Sequence, residues 1–317
     1  MKAALQKRIR RLRDLLLYYL VRVVTCLLRL LPRRPAIAIM RGVGRLLFFT
    51  ATRMRQKTIR HLTMAYGHEK EPAEINRLAR QVFRHFSTVL ADMLRLPKLL
   101  DQGIDQLLHA QGAEHIARAM QDGRGVILLT GHFGNWEILG AWASAIGVPI
   151  KVVGKELFNP ELDRLLVETR NQAGYINIAR GKATREIIRT LNDGGAVGML
   201  IDQDTKVPGV FVNFFGRPTH TPVGAAQLAR KLGVDIVPAF IYLQDDLTYQ
   251  IECGPAIALQ TTDNPTEDLF NNTQKCSDAC ERMIRRYPEQ WVWMHKRWKT
   301  QPESFGPAAV GSKEIFG

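Results

Sequence analysis

Residues 128–138 read Leu-Leu-Thr-Gly-His132-Phe-Gly-Asn135-Trp136-Glu137-Ile, a histidine and a carboxylate five positions apart. The glycines predict a turn around His132, and a helix begins near Asn135 with Glu137 in its first turn. With the histidine in the turn, the carboxylate is within reach of the imidazole. A carboxylate on one ring nitrogen fixes the tautomer and stabilises the imidazolium formed when the other nitrogen accepts a proton. That arrangement suits a general base acting on a weakly acidic hydroxyl. The spacing alone is short and common, and a loop histidine followed by a helix-dipole glutamate fits it too.

Other chemistries lack their signatures. The chain has no G-x-S-x-G elbow, no H-E-x-x-H and no Gly-rich loop ending in Gly-Lys-Ser/Thr, and Gly42-Val-Gly44 does not continue at the Rossmann spacing. Cys276 and Cys280 lie one turn apart, but Cys26 and Cys253 are distant and no spaced histidines accompany them. They read as reduced thiols, and no metal site is expected.

A turn carrying a base needs a strand before it and a helix after it. The apolar run 125–130 suits a buried parallel strand, and 135–146 reads as the helix. The alternation continues with strands near 149–153, 175–179, 196–202, 235–242 and 248–252. Helices are read at 113–121, 160–172, 183–192, 222–232 and 266–286. This predicts an α/β fold, a mostly parallel central sheet with helices on both faces. Ligands of such sheets sit at the carboxyl ends of strands, where His132 falls. Asp202-Gln203-Asp204 ends another predicted strand and is expected to line the same crevice.

The preceding part is different in kind. The 317 residues carry a net charge of +14, yet residues 1–60 hold 16 of the 44 Lys and Arg and one of the 30 acids, Asp14. That segment is +15, and the remainder is −1. Basic tails that bind nucleic acid are poor in large apolar residues, whereas 15–31 is mostly Leu, Val and Tyr. Arg8, Arg22 and Arg29 are spaced by multiples of seven and share one helical stripe. The run holds two arginines and falls short of the ~20 largely uncharged residues of a spanning helix. It reads as a membrane-associating helix with snorkelling arginines, with a marginal span or a helix packed on its own domain as alternatives. Pro32 and Pro35 end it, and helices are predicted to about residue 50, over 55–66 and over 71–96. The resulting division is a basic, apolar N-terminal region (1–60), a catalytic domain (61–300) and a loose tail (301–317).

Gly131-His-Phe-Gly-Asn-Trp-Glu137 resembles the active-site block of the bacterial lipid A biosynthesis lauroyl/myristoyl acyltransferases, of the lysophospholipid acyltransferase superfamily. Further stretches match in order: Arg170-Asn171 with Gly174, Asp202-Gln203-Asp204, Phe214-Phe-Gly216-Arg-Pro218 with Thr221-Pro222, and the Trp-rich block 288–299. The resemblance covers about residues 120–300, and the N-terminal region looks like the family's membrane-associating part. It implies transfer of a fatty acyl chain from acyl carrier protein to a hydroxyl of a Kdo-bearing lipid IVA precursor, at the cytoplasmic face of the bacterial inner membrane. Relatives acylating phosphatidylinositol mannosides share much of the pattern. The family's catalytic His and acid map to His132 and Glu137, and its supporting Arg maps to Arg170.

The acceptor hydroxyl is itself the nucleophile, so neither a Ser or Cys nucleophile nor a cofactor is required. Trp136, Asn135, Asn171, Asp202, Gln203 and Asp204 are candidate substrate contacts, Asn135 and Asn171 being equally suited to capping local structure. Phe211-Val-Asn-Phe-Phe215 suits either an acyl channel or loop packing. Trp291, Trp293 and Trp298, set among His295, Lys296, Arg297 and Lys299, suit a membrane interface or headgroup with Arg22 and Arg29, or internal packing. A catalytically silent module on anionic lipids is the alternative from another class. His132→Ala and Glu137→Ala are each expected to abolish transfer with the fold intact.

Overall fold

The computed structural model describes residues 2–154, 156–179 and 183–302; of the segment read as a loose tail, 303–317 lie outside the described residues. Four helices lead the chain: α1 (Lys2–Leu30), α2 (Arg33–Thr50), α3 (Thr52–Tyr66) and α4 (Pro72–Asp101). Pro32 separates the first two, as a residue without an amide proton should. α4 runs past the expected end at 96, carrying Pro97 within its last turns.

The rest alternates: β1 (Leu108–Gln111), α5 (Ala113–Ala119), β2 (Val126–Thr130), α6 (Trp136–Ala145), β3 (Ile150–Gly154), α7 (Pro160–Gln172), β4 (Ile176–Ala179), α8 (Ala183–Asn192) and β5 (Ala196–Leu200). Then come the hairpin β6 (Gly209–Phe214) and β7 (Arg217–Pro222), α9 (Gly224–Leu232), β8 (Asp235–Leu243), β9 (Tyr249–Cys253) and α10 (Pro265–Arg286). Seven strands form one sheet in the order β1-β9-β8-β2-β5-β3-β4. Every neighbouring pair is parallel except β8 with β9. The mostly parallel sheet is borne out; β1 and the hairpin were not foreseen.

Alternation along β2 sends its side chains to two cores. Ile127 and Leu129 pack with Ile187 of α8, Leu228 of α9 and Met283 of α10. Val126 and Leu128 pack with Ile138 and Trp142 of α6 and with Leu96 and Leu99 of α4. β2 and β5 are neighbours, yet the chain leaves β2 for the α6 face and β5, through the hairpin, for the α9 face. Their carboxyl ends therefore splay around a crevice.

The tryptophan reading is corrected. Trp291, Trp293 and Trp298 are 0%, 0% and 7% exposed, so none reaches a membrane or headgroup. Trp291 and Trp293 meet edge to face at 4.7 Å, and Trp291 packs on Phe214 at 5.6 Å. Arg297 is buried with them, donating to Thr221 Oγ1 at 2.6 Å and lying over the Phe214 ring at 4.9 Å. Burial pulls its pKa down to about 10. The basic residues that made this stretch look interfacial include one whose charge faces inward. Phe214 and Phe215 belong to the same core, so the packing alternative holds there too.

α1 lies along α4 and α7. Arg29 Nε donates to Leu94 O at 2.9 Å, Arg95 Nη1 to Leu31 O at 2.8 Å, and Asn159 Nδ2 to Asp14 O at 2.7 Å. Thr25 and Leu28 are buried, whereas Leu12, Leu16, Leu20, Val23 and Leu27 are each more than half exposed. The helix turns much of its apolar surface outward. Arg22 is on the outside with Tyr18, while Arg29 is half-buried against α4. No helix among the described residues is long and apolar enough to cross a membrane.

Candidate active site

His132 stands one residue beyond the glycine that follows β2, and Asp202 stands just beyond β5. Pairing Thr130 with Leu200 brings these ends together. His132 Nδ1 lies 2.9 Å from Asp202 Oδ1, and the His132 amide donates to Asp202 Oδ2 at 2.6 Å. Trp291 Nε1 donates to the same Oδ2 at 2.7 Å. Burial alone would raise the Asp202 pKa, but the His132 ring and these donors hold it below its ordinary 3.8. An ionised carboxylate only accepts, so Nδ1 carries the proton and Nε2 the lone pair. Among the described residues nothing bonds Nε2, and the ring lines a cavity.

The turn is held by close packing. Gly134 has φ +57°, and a Cβ there would run into the carbonyl of Ile241 on β8. Its amide donates to Gln290 O at 2.9 Å. His85 of α4 is buried, and burial takes its pKa from 6.5 to about 3.

Glu137 faces elsewhere. Its carboxylate accepts from Arg170 Nε at 2.9 Å, Arg170 Nη2 at 2.6 Å, Tyr175 OH at 2.5 Å and Trp136 Nε1 at 3.1 Å. The reading of Glu137 as the carboxylate on His132 is therefore corrected: that place is taken by Asp202. Burial opposes the Glu137 charge, yet the Arg170 bonds and charge, with Tyr175 and Trp136, keep its pKa below 4.5. Arg170 is raised in turn, the Glu137 bonds outweighing its burial. Arg170 Nη1 also donates to Asn177 Oδ1 at 2.5 Å. A Cβ on Gly154, at the end of β3, would collide with that Asn177 oxygen and approach Arg170 Nη1, so only glycine leaves room for the guanidinium.

These groups share one cavity of about 590 Å3. His132, Trp136, Glu137, Arg170 and Gln203 make its polar end. Apolar walls come from Leu139, Ala143, Ile150 and Val152, from Leu162 and Leu166 of α7, and from Leu90 and Met93 of α4. Val21, Thr25 and Arg29 of α1 complete the enclosure. The arrangement offers a poised base beside a buried cation at the head of a greasy channel.

The remaining candidates lie around it. Asn135 is fully buried; its Oδ1 accepts from the Ile138 amide at 3.3 Å and its Nδ2 donates to Tyr249 OH at 3.2 Å. It is a helix cap, not a substrate contact. Tyr249 OH in turn donates to Asp92 at 2.8 Å, and Asp92 takes a two-pronged ion pair from Arg33 at 3.0 and 2.7 Å. A bonded chain thus runs from α2 to the start of α6. Asn171 is exposed at the end of α7, outside the cavity. Asp204 accepts from the Thr300 amide at 2.6 Å and tethers that segment. Tyr175, Asn177, Asp92 and Tyr249 were missed; Asp92 alone carried a signal, as the one acid within the apolar stretch 89–94.

A family model described as bacterial lipid A biosynthesis acyltransferase matches residues 3–300. The chain is 26% identical over 244 residues to a phosphatidylinositol mannoside acyltransferase of Mycolicibacterium smegmatis, covering 75% of this chain and 78% of that one. It is 25% identical over 278 residues to a lipid A biosynthesis acyltransferase of Haemophilus influenzae, 81% and 86% covered. It is 30% identical over 212 residues to a lipid A biosynthesis lauroyltransferase of Escherichia coli K12, 64% and 65% covered.

Proposed function

The chain belongs to the bacterial lipid A biosynthesis acyltransferase family and is an acyltransferase; from that premise we propose that it moves a fatty acyl chain from acyl carrier protein to a hydroxyl of a Kdo-bearing lipid A precursor. The observation that carries the reading is the Asp202-held His132, with Nε2 unbonded, at the polar end of an apolar cavity.

In this reading the acceptor hydroxyl gives its proton to His132 Nε2 as its oxygen attacks the thioester carbonyl. Asp202 accepts the Nδ1 hydrogen and stabilises the imidazolium. The tetrahedral oxyanion is met by the Arg170 N–H groups not already given to Glu137 and Asn177. The C–S bond then breaks, and the imidazolium returns its proton to the departing thiolate. Glu137 acts through Arg170, fixing the guanidinium rather than the imidazole. The acyl chain lies along the Leu139–Ala143 wall and α7. Residues of α1 and α2, apolar side outward with arginines beside it, rest on the cytoplasmic leaflet of the inner membrane.

Transfer to a phosphatidylinositol mannoside is the second reading, drawn from the relative matched over 78% of its length. Incubation with mixed acyl carrier protein thioesters and each acceptor, followed by mass spectrometry of the lipid, separates the two. Product on neither acceptor, from folded protein, refutes both and leaves another glycolipid or phospholipid as the acceptor.

A further inference from the structure

A second concavity lies apart from the catalytic cavity, between α2 and the first half of α4. It encloses about 540 Å3 and is lined by Arg41 and Arg45 of α2, by Arg77, Arg80 and Arg84 of α4, and by Phe48. The spacing accounts for the convergence. Arg41 and Arg45 are one turn apart, and Arg77, Arg80 and Arg84 follow at three and four residues, so each set forms one stripe. The helices close upon each other at Gly44, where a Cβ would strike Ser87 and the Phe83 carbonyl. Two arginine stripes are thereby pressed to the two sides of one groove.

Little neutralises them. Among the described residues the one ion pair in this set is Arg77 with Glu74, at 3.6 Å and largely exposed. Arg41 Nε donates to Thr88 Oγ1 at 3.0 Å, and Arg80 lies over the Phe48 ring at 5.5 Å. Arg41 is lowered by burial and then by the charges of Arg84 and Arg33, which outweigh those of Asp245 and Asp92. A groove lined by five guanidinium groups, with Glu74 the one carboxylate paired to them among the described residues, suits an anion.

The neighbouring surface narrows which anion. Ile39, Leu46 and Phe49 of α2 are each more than half exposed. At 100° per residue Phe49 stands about 60° from the middle of the Arg41–Arg45 stripe and lines the groove itself, with Leu46 and Ile39 following at about 120° and about 140°, so an apolar strip starts at the groove's edge and runs round the exposed side of α2. An acidic protein helix would leave that apolar strip uncovered. A lipid covers both, with acyl chains beside the strip and headgroup in the groove.

We propose that the α2–α4 groove is a binding site for the terminal phosphate of an anionic membrane lipid, separate from the catalytic cavity. A phosphomonoester suits it better than a diester. It carries nearly two charges and three free oxygens, which can engage several guanidinium forks. The site holds the enzyme on phosphomonoester-bearing lipid whatever chain the catalytic cavity carries.

This rests on the reading that α1 and α2 lie on a membrane, and the test keeps the two apart. Full-length protein is floated with phosphatidylcholine vesicles containing phosphatidic acid or phosphatidylglycerol at matched surface charge. Wild type should prefer phosphatidic acid about tenfold, equivalent to about 1.4 kcal/mol. Arg80→Ala/Arg84→Ala should lose the preference. Its partition to phosphatidic acid should fall about 30-fold, from about 1 kcal/mol per cation near an anionic surface. Arg80→Lys/Arg84→Lys keeps the charge and should lose the preference but not general binding, which guards against misfolding. Arg8→Ala/Arg11→Ala should weaken both vesicle types alike. An unchanged preference in the alanine pair overturns the site. So does equally tight, Arg80- and Arg84-dependent binding of inorganic phosphate or of an acidic protein without vesicles. Leu16→Glu/Val23→Glu floating as wild type would instead overturn the membrane reading.

Discussion

Asp202→Asn exchanges one carboxylate oxygen for an amide and probes the catalytic reading at its centre. Oδ2 accepts two N–H groups, the His132 amide at 2.6 Å and Trp291 Nε1 at 2.7 Å. The carbonyl oxygen of an asparagine therefore stays there, and its NH2 group replaces Oδ1 opposite His132 Nδ1, 2.9 Å away. An amide nitrogen only donates. Nδ1 must then accept, the ring proton moves to Nε2, and the lone pair needed by the acceptor hydroxyl is gone. Tautomer inversion of this kind costs about 10^4-fold in turnover, or about 5.4 kcal/mol at about 1.36 kcal/mol per tenfold. Packing is unchanged, so melting temperature should move little. The assay is the initial rate of transfer from an acyl carrier protein thioester to detergent-dispersed acceptor, with circular dichroism melts alongside. Glu137→Gln is the contrast, because it leaves the His132 tautomer alone. Folded Asp202→Asn protein with more than about a tenth of wild-type turnover, a loss under about 1.4 kcal/mol, refutes the assignment. The same loss appearing in Glu137→Gln instead would return the histidine to Glu137. Glu137→Ala is no longer expected to spare the fold: stripping one partner from a buried ion pair costs about 3–5 kcal/mol.

Two further outcomes follow from the site's surroundings. Ala143 is fully buried on the apolar wall, so Ala143→Phe should shorten the acyl chains in the product, read by mass spectrometry with mixed-length donors; an unchanged distribution rejects that wall as the chain's bed. His85 is unprotonated in the fold down to about pH 3 but titrates near 6.5 when unfolded. Between those values the unfolded state binds the extra proton, so stability is complete above pH 6.5 and declines below it. The slope is at most about 1.4 kcal/mol per pH unit. His85→Gln should flatten that decline in urea unfolding series from neutral to acid pH, and an unaltered slope contradicts the assignment.

The sequence was most legible where one local rule decided the outcome. The turn at His132 announced itself because a buried strand, two glycines and a capped helix lie within a dozen residues. The Asp202 contact did not, since it depends on β5 inserting beside β2, a pairing 70 residues apart that no local pattern encodes. Asp202 is legible as a crevice residue from its strand end, and Glu137 is preferred as the carboxylate on His132 because it is near in sequence and occupies the acid position of the resembling family's block. The tryptophans misled for a related reason. Their basic neighbours suggest an interface, but Arg297 spends its donors on the β6–β7 hairpin, and that hairpin was not foreseen.

Helix α1 presents two working surfaces on one rod. Val21, Thr25 and Arg29, at intervals of four, form a wall of the cavity, while Leu20, Val23 and Leu27 look outward. Each added residue turns a helix by about 100°, so a two-residue insertion ahead of Val21 would exchange the surfaces. Val23 and Leu27 would then enter the channel and the cavity threonine would leave it. Gains or losses of seven residues would nearly restore the register. Length variation tolerated in this helix is therefore quantised: its C-terminal end is held on α4 by Arg29 and Arg95, and its middle can change only in whole pairs of turns.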